Sequence, residues 1–331
     1  MLSDQCSLSS LLWRGNDPDA GPIPFDRISD ALADEETLVW VDLVNPTDDD
    51  MRKLGEELGI GAAALEDATA PHERPKVTRH GSHLFFTTYA TTLSTPTIDE
   101  ADLVLSRVSG FLMKGGLITV RLDETFDMSP VTQVWQDNAD LMRFGSGALM
   151  HGLLDVIVDG HFEAIQRLDD GVEEMEDTLF EEGRTGHAFQ RRVYQLRKRL
   201  VQLRRVVLPM REVVNALLRH RTATNDELDA LYDDLYDHVF RAAEWTESVR
   251  DMVTTVFETN LSMQNARLNT VMKKLAGWAA IIAVPTAITG WFGQNIPFPG
   301  FSSHFGLVQS IILIVALSTG LYVVLRRQDW I

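Results

Sequence analysis

The sequence predicts an α+β membrane protein: an N-terminal cytoplasmic α/β domain, a long stalk helix and two C-terminal transmembrane helices. Three observations predict it. Asp, Glu, Lys and Arg are all missing between Leu275 and Leu325. Two apolar runs of spanning length lie inside that stretch, separated by a segment rich in Gly, Pro and Ser. A long heptad-like pattern leads into the first run from an acidic body that mixes strand-like and helix-like segments.

The body comes first in the chain. Thr37–Val44 (TLVWVDLV) is β-rich and apolar and ends at Asn45-Pro46. Thr47 or Asp48 caps the helix that follows, which runs to about Leu58. His83–Leu93, Leu103–Met113 and Leu117–Leu122 read as further strands, the last two joined as a hairpin through Lys114-Gly115-Gly116. This gives an α/β domain over 1–127.

Residues 128–223 read as a pair of helices. One runs from Gly147 to Glu182, and Gly183–Gly186 breaks it. The other runs from His187 to about His220. The first is dense in acid (Glu163, Asp169, Asp170, Glu173, Glu174, Glu176, Asp177) and the second in Arg and Lys, so the two can face each other antiparallel. Each exposed pair of that kind contributes only about 0–1 kcal/mol. A solvated face explains the carboxylates better than a metal site does.

Residues 224–292 read as one helix, capped by Thr224 or Asn225. Leu228, Leu231, Leu235, His238, Ala242, Trp245, Val249, Met252, Val256, Thr259, Met263 and Ala266 recur in steps of three and four. No proline intervenes before Pro285, so the helix is expected to enter the first span unbroken, roughly 100 Å long at about 1.5 Å per residue. Its apolar seam calls for partners, which implies an oligomer.

The spans are 275–292 and 307–325, each covering roughly 27–29 Å at about 1.5 Å per residue, close to a bilayer's hydrocarbon thickness. Soluble cores rarely hold two such runs side by side. Lys273 and Lys274 precede the first, Arg326 and Arg327 follow the second, and the 293–306 loop has neither Lys nor Arg. The positive-inside rule puts the body and the 326–331 tail in the cytoplasm and the loop outside. The opening residues MLSDQCSLSS show no signal-peptide pattern, which agrees. The first span is the more polar, with Trp278, Thr286, Thr289 and glycines, and Pro285 lies within it. Of the two spans, it is the better candidate to line a polar path.

Composition narrows the function. Thirty Lys and Arg against 48 Asp and Glu give a net charge of −18, which argues against nucleic acid as partner and suits cations. Cys6 is the single cysteine, so an internal disulfide cannot form. No GxxxxGK[ST] phosphate loop, HExxH pair or Ser nucleophile elbow is present, so the chain does not read as an enzyme.

Short markers then recur in a telling order. Ala64-Leu65-Glu66-Asp67 is followed by Pro71-His72-Glu73-Arg74-Pro75-Lys76-Val77 and His83-Leu84-Phe85-Phe86. Later come Tyr236-Asp237-His238, Asn269-Thr270-Val271-Met272-Lys273, Gly293-Gln294-Asn295, and the ending Arg326, Arg327 and Trp330. In this order, placed against two C-terminal spans, they resemble the CorA family of divalent-cation channels, which includes the ZntB zinc transporters. The likeness covers essentially the whole chain. It implies a homopentameric funnel in the plasma membrane, with five first spans around a pore. The family's pore-lining positions fall on Asn269, Met272, Leu275 and Thr286, with Gly293, Gln294 and Asn295 at the outer mouth. Its cytoplasmic cation sensor falls on Asp234.

This chain departs from the family in two places. Gln294 stands where the family signature Gly-Met-Asn has Met, and Ile296–Gly306 carries no acidic residue. Gly293 and Asn295 are kept. Three readings stay open: a Mg²⁺ channel gated by cytoplasmic Mg²⁺, a ZntB-like Zn²⁺ transporter, and a non-conducting membrane-anchored cation sensor. Co²⁺ and Ni²⁺ are further candidate ions. His304 reads as loop decoration. Read without the resemblance, Met272 and Leu275 are ordinary helix-packing residues.

Overall fold

A computed structural model describes the chain apart from residues 1, 16, 20–22, 72, 95–101, 181–185, 221–225, 296, 298 and 302. The expected cap at Thr224 or Asn225, most of the Gly183–Gly186 break, and His72 lie outside the described residues. The chain forms two compact units, Met1–Val256 and Phe257–Ile331.

The first unit is built on a seven-stranded sheet in the order β2-β1-β3-β7-β6-β5-β4. The strands are β1 (Ser7–Arg14), β2 (Asp17–Asp19), β3 (Thr37–Val44), β4 (Lys76–His80), β5 (His83–Leu93), β6 (Leu103–Met113) and β7 (Gly116–Arg121). Neighbours run antiparallel except β3 and β7, which are parallel. β3 is buried from end to end, as its nearly unbroken apolar sequence requires of a strand covered on both faces. The β6–β7 turn needs its glycines: a Cβ on Gly115 would lie 2.1 Å from the Leu32 carbonyl oxygen.

Helices cover both faces. α1 (Ile28–Ala33), α2 (Asp48–Leu58) and α3 (Ala62–Thr69) lie on one face, where Ile28, Leu54 and Ala68 meet Val39, Val41, Phe85 and Phe111. α2 starts on a reciprocal cap: the Thr47 hydroxyl accepts from the Asp50 N–H, and the Asp50 carboxylate accepts from the Thr47 N–H. Asp50 is fully buried and also accepts from the Ser3 N–H and hydroxyl at 2.8 and 2.5 Å. Burial alone would raise its pKa, but these three donors, with the Thr47 hydroxyl as a fourth at 2.7 Å, hold it well below the ordinary aspartate value.

The other face carries α4 (Ser129–Asp137), α5 (Ser146–Phe180), α7 (Met210–His220) and the start of α8 (Asp226–Phe292). Within the sheet near this face, Asp42 takes hydrogen bonds from Thr119 and the Arg121 guanidinium, and Thr119 also accepts from the Trp40 indole.

Two expectations are corrected here. The helix expected over His187–His220 is two helices, α6 (His187–Val207) and α7, because Pro209 has no N–H to continue the ladder. As far as Val256, the α8 seam also does not wait for a second copy. Leu228, Tyr232, Leu235 and Val239 are buried against α4, α5 and α7 of the same chain, and Ala242, Val249, Val253 and Val256 are buried too. Sequence spacing shows that a seam exists but does not say whose side chains fill it. The expected charge pairing of the helices is partly realised. Arg192 reaches Glu174 across α5 and α6, while Arg204 turns to Glu247 of α8.

The second unit contains the rest of α8, which continues through Pro285 to Phe292, and α9 (His304–Arg327). Both helices are long and apolar enough to cross a membrane.

Candidate ion pathway and cation-binding residues

In the second unit, burial divides α8 into two faces. Gly277 is buried, and Ile281, Val284, Ile288 and Phe292 are half-buried, recurring every three or four residues. A Cβ on Gly277 would sit 3.0 Å from Ile331 and 3.6 Å from Leu325, so the stripe meets the last residues of the chain at Gly277. Met272, Leu275 and Thr286 lie on the opposite side at about 100° per residue, Asn269 falls on the flank about 80° from Gly277, and all four are exposed. Met272 is 57% and Leu275 63% exposed.

Such exposure of large apolar side chains is costly in water, at about 25 cal/mol per Å². Along α9, Leu307, Ile311, Ile312, Val315 and Val324 are uncovered as well. The surface is built for a medium other than water.

Pro285 has no N–H to offer the Ile281 carbonyl. Nearby hydroxyls donate to the backbone: Thr286 Oγ1 to Ile282 O at 3.1 Å, and Thr289 Oγ1 to Pro285 O at 2.9 Å. Each donation leaves the hydroxyl lone pairs available as acceptors. α8 ends at Phe292, after which Gly293 N–H still bonds Thr289 O at 2.8 Å and Gln294 N–H bonds Trp291 O. Gly293, Gln294 and Asn295 are exposed at this helix end. α9 starts on Ser303, whose hydroxyl accepts from Gly306 N–H. There the backbones touch: a Cβ on Gly306 would lie 2.4 Å from Gly300 O.

Asp234 belongs to the first unit, on α8. Its side chain is 71% exposed, and one oxygen lies 3.9 Å from His238 Nε2. Three residues at i, i+4 and i+8 on α5 complete the neighbourhood: His151, Asp155 and Asp159. His151 Nε2 lies 3.2 Å from the Leu231 carbonyl. Burial lowers the His151 pKa, opposed by the charges of Asp155 and Asp234. Burial and Asp155 raise the Asp159 pKa, opposed by His238. Sequence reasoning singled out Asp234 and missed these α5 partners. Their four-residue spacing was visible, but nothing in the sequence aligned α5 with α8. Among the described residues, no three His, Cys, Asp or Glu side chains gather closely enough to hold a metal ion.

Residues 35–327 match the family described as CorA-like Mg²⁺ transporter protein. The chain belongs to the CorA family. It is 26% identical to the cobalt/magnesium transport protein CorA of Thermotoga maritima, over 90% of this chain and 85% of that protein. It is 24% identical to the protein of the same name from Methanocaldococcus jannaschii, over 94% and 97%. Its fold is similar to the complete structure of the M. jannaschii CorA magnesium transporter, with TM-score 0.73, 22% identity, and 97% and 98% of the two chains covered.

Within this CorA chain, the N-terminal marker residues serve the fold. Lys76 bridges Asp67 at 2.8 Å and Glu73 at 3.0 Å, tying α3 to β4. Tyr89 donates to the Glu73 carbonyl, and Arg107 donates to the Ala68 and Ala70 carbonyls, closing the same connection.

Proposed function

We propose that the chain assembles as a homopentamer in the plasma membrane, with both termini cytoplasmic, and conducts divalent cations, chiefly Mg²⁺, into the cell. One observation supports this most: Met272, Leu275 and Thr286 occupy the bare face of α8, opposite the stripe that starts at Gly277, with Asn269 exposed on its flank. A ring of such faces gives polar rings at Asn269 and Thr286 and an apolar constriction at Met272 and Leu275. The constriction can stop ions by dewetting.

Mg²⁺ sheds water reluctantly. A ring of Asn295 side-chain carbonyls can accept hydrogen bonds from a hydrated ion without stripping it, and Gly293 and Gln294 form the turn that presents Asn295. Weak binding repeated along the path lets the ion both enter and leave. An inside-negative potential supplies about 4.6 kcal/mol per divalent ion per 100 mV, so uptake needs no ATP. Asp234 serves as the regulatory cation ligand. No complete ligand set forms around it within one chain among the described residues, which suits a site finished by a neighbouring protomer. Bound cation there would relieve carboxylate repulsion and favour the closed state.

Flux in proteoliposomes tests this reading. The expected result is Mg²⁺ uptake driven by an imposed negative potential, with Co²⁺ or Ni²⁺ competing. Zn²⁺ flux indifferent to Mg²⁺ would favour the ZntB-like alternative. Absence of any divalent flux from correctly assembled protein would leave the membrane-anchored sensor.

A further inference from the structure

Two hairpin turns lie side by side at one end of the sheet. Gly81-Ser82 joins β4 to β5, and Lys114-Gly115 joins β6 to β7. Leu84 pairs with Leu112 next to them, which makes the two turns neighbours. α5 begins at the same place, after Gly145 at φ 71°. These elements enclose a cavity of about 450 Å³, within the range of small-molecule pockets. Part of its wall is apolar, built from Leu84, Leu112, Leu217 and Leu228 with the rings of Phe144 and Tyr232.

The charge of this cavity is opposite to that of the chain. Arg79 from β4, Lys114 from the β6–β7 turn and Arg143 from just before α5 all line it. No Asp or Glu stands among its described lining residues, in a protein of net charge −18. The N-terminus of the 35-residue α5 adds partial positive charge, and its first turn holds no acidic residue. The cations are not tightly committed elsewhere. Lys114 pairs with Glu35 and Arg143 with Glu227, both carboxylates lie outside the cavity, and such exposed pairs contribute little. Lys114 and Arg143 also border a wider cleft, but that one carries Asp34, Glu35 and Glu36, which repel an anion.

We propose that this cavity binds a nucleoside polyphosphate in its metal-free form. The phosphates meet Arg79, Lys114, Arg143 and the α5 N-terminus, and the nucleoside lies against the apolar wall. Three cations and a helix end suit a chain of phosphates better than a single one. The leucines, Phe144 and Tyr232 offer nothing to a bare inorganic anion but fit a base. Mg²⁺ bound to a nucleotide is held through carboxylates, and none lines this cavity. Mg²⁺ on the phosphates also cancels part of the charge that the three cations attract, so the uncomplexed nucleotide is preferred. The site uses none of the residues proposed for conduction or for the Asp234 sensor, and it does not depend on which ion crosses the membrane.

The test is a calorimetric titration of the full-length protein in detergent with ATP, in EDTA and without Mg²⁺. Wild type should bind one ATP per chain. Arg79→Ala, Lys114→Ala and Arg143→Ala should each weaken binding about tenfold, the scale of a lost charge-assisted hydrogen bond. All three side chains are exposed, so the variants should fold. Arg197→Ala, exposed on α6 away from the cavity, should bind ATP as wild type does. Tripolyphosphate should bind more weakly than ATP, and so should ATP in excess Mg²⁺. Absence of ATP binding up to about 1 mM would overturn the proposal. So would unchanged affinity in the three cavity variants, or an equal loss in Arg197→Ala. Tripolyphosphate binding as tight as ATP would reject the nucleoside, and equal affinity in excess Mg²⁺ would reject the metal-free form.

Discussion

His161 is 1% exposed where α5 crosses β5, with Nε2 2.8 Å from the Tyr89 carbonyl oxygen. A carbonyl accepts, so Nε2 carries the proton. Burial pushes the pKa down to about 4, against the smaller upward pull of that hydrogen bond. The sign follows from linkage. The folded pKa lies below the unfolded one, so this residue's contribution is intact above about pH 6.5 and is lost as pH falls towards 4. The loss is on the order of 3 kcal/mol at most. Thermal melts of the full chain in detergent should show Tm falling across that window in wild type, with a shallower fall in His161→Gln. Equal slopes would contradict the buried neutral imidazole.

Gln294 is exposed at the end of α8, where the family signature has Met. In the proposed mouth Asn295 supplies the amide and position 294 only takes part in the turn, so Gln294→Met should leave Mg²⁺ flux unchanged or higher. Loss of flux would mean that Gln294 itself contacts the ion. Residue identities at this end were legible because the tripeptide and the span that precedes it are contiguous. His151, Asp155 and Asp159 were not legible as partners of Asp234, since about 80 residues of chain separate them and only packing of α5 on α8 brings them together. β4 stayed hidden for a related reason. Lys76–His80 is a short edge strand, with Lys, Thr and Arg among its five residues, so neither its pairing nor its tight turn stood out.

Elements with one strong local signal were read correctly from sequence. β3, β5 and β6 fall where their apolar β-branched and aromatic runs predict, and α2 starts at its cap. Elements that depend on a partner were missed, among them β1, whose serine-rich sequence becomes a strand by pairing along the whole of β3. A single proline, Pro209, was enough to divide what periodicity read as one helix. The connection between the two apolar helices turns on the contact of Gly306 with Gly300. Gly306→Ala places a methyl 2.4 Å from a carbonyl oxygen, and relief of such overpacking costs about 1–3 kcal/mol. We predict a lower Tm in detergent and faster protease cleavage between Gly293 and Ser303. An unchanged cleavage rate would show that the connection tolerates the added group.

At the scale of the whole molecule, the acidic body and the apolar helices have to be coupled for cytoplasmic cation to control the pore. α8 belongs to both units, which makes it the physical link for such coupling. Asp234→Asn would remove the proposed ligand but also relieve repulsion, so its direction is ambiguous. Asp234→Lys instead supplies a fixed positive charge in place of the cation. Patch recordings should show the mutant's current responding less to internal Mg²⁺ than the wild type's. Wild-type inhibition in that mutant would reject the sensor assignment.

The central claim is that the far end of α8 forms a selective mouth around Asn295, and uptake by Asn295→Ala tests it most directly. The substitution removes the amide proposed to receive the hydrated ion and touches neither the buried α8 seam nor the Gly277 contact with Leu325 and Ile331. Wild-type and mutant protein of matched oligomeric state would be compared for potential-driven Mg²⁺ flux in liposomes. The account predicts normal assembly with flux reduced to background. Mg²⁺ uptake at the wild-type rate by correctly inserted Asn295→Ala would contradict it.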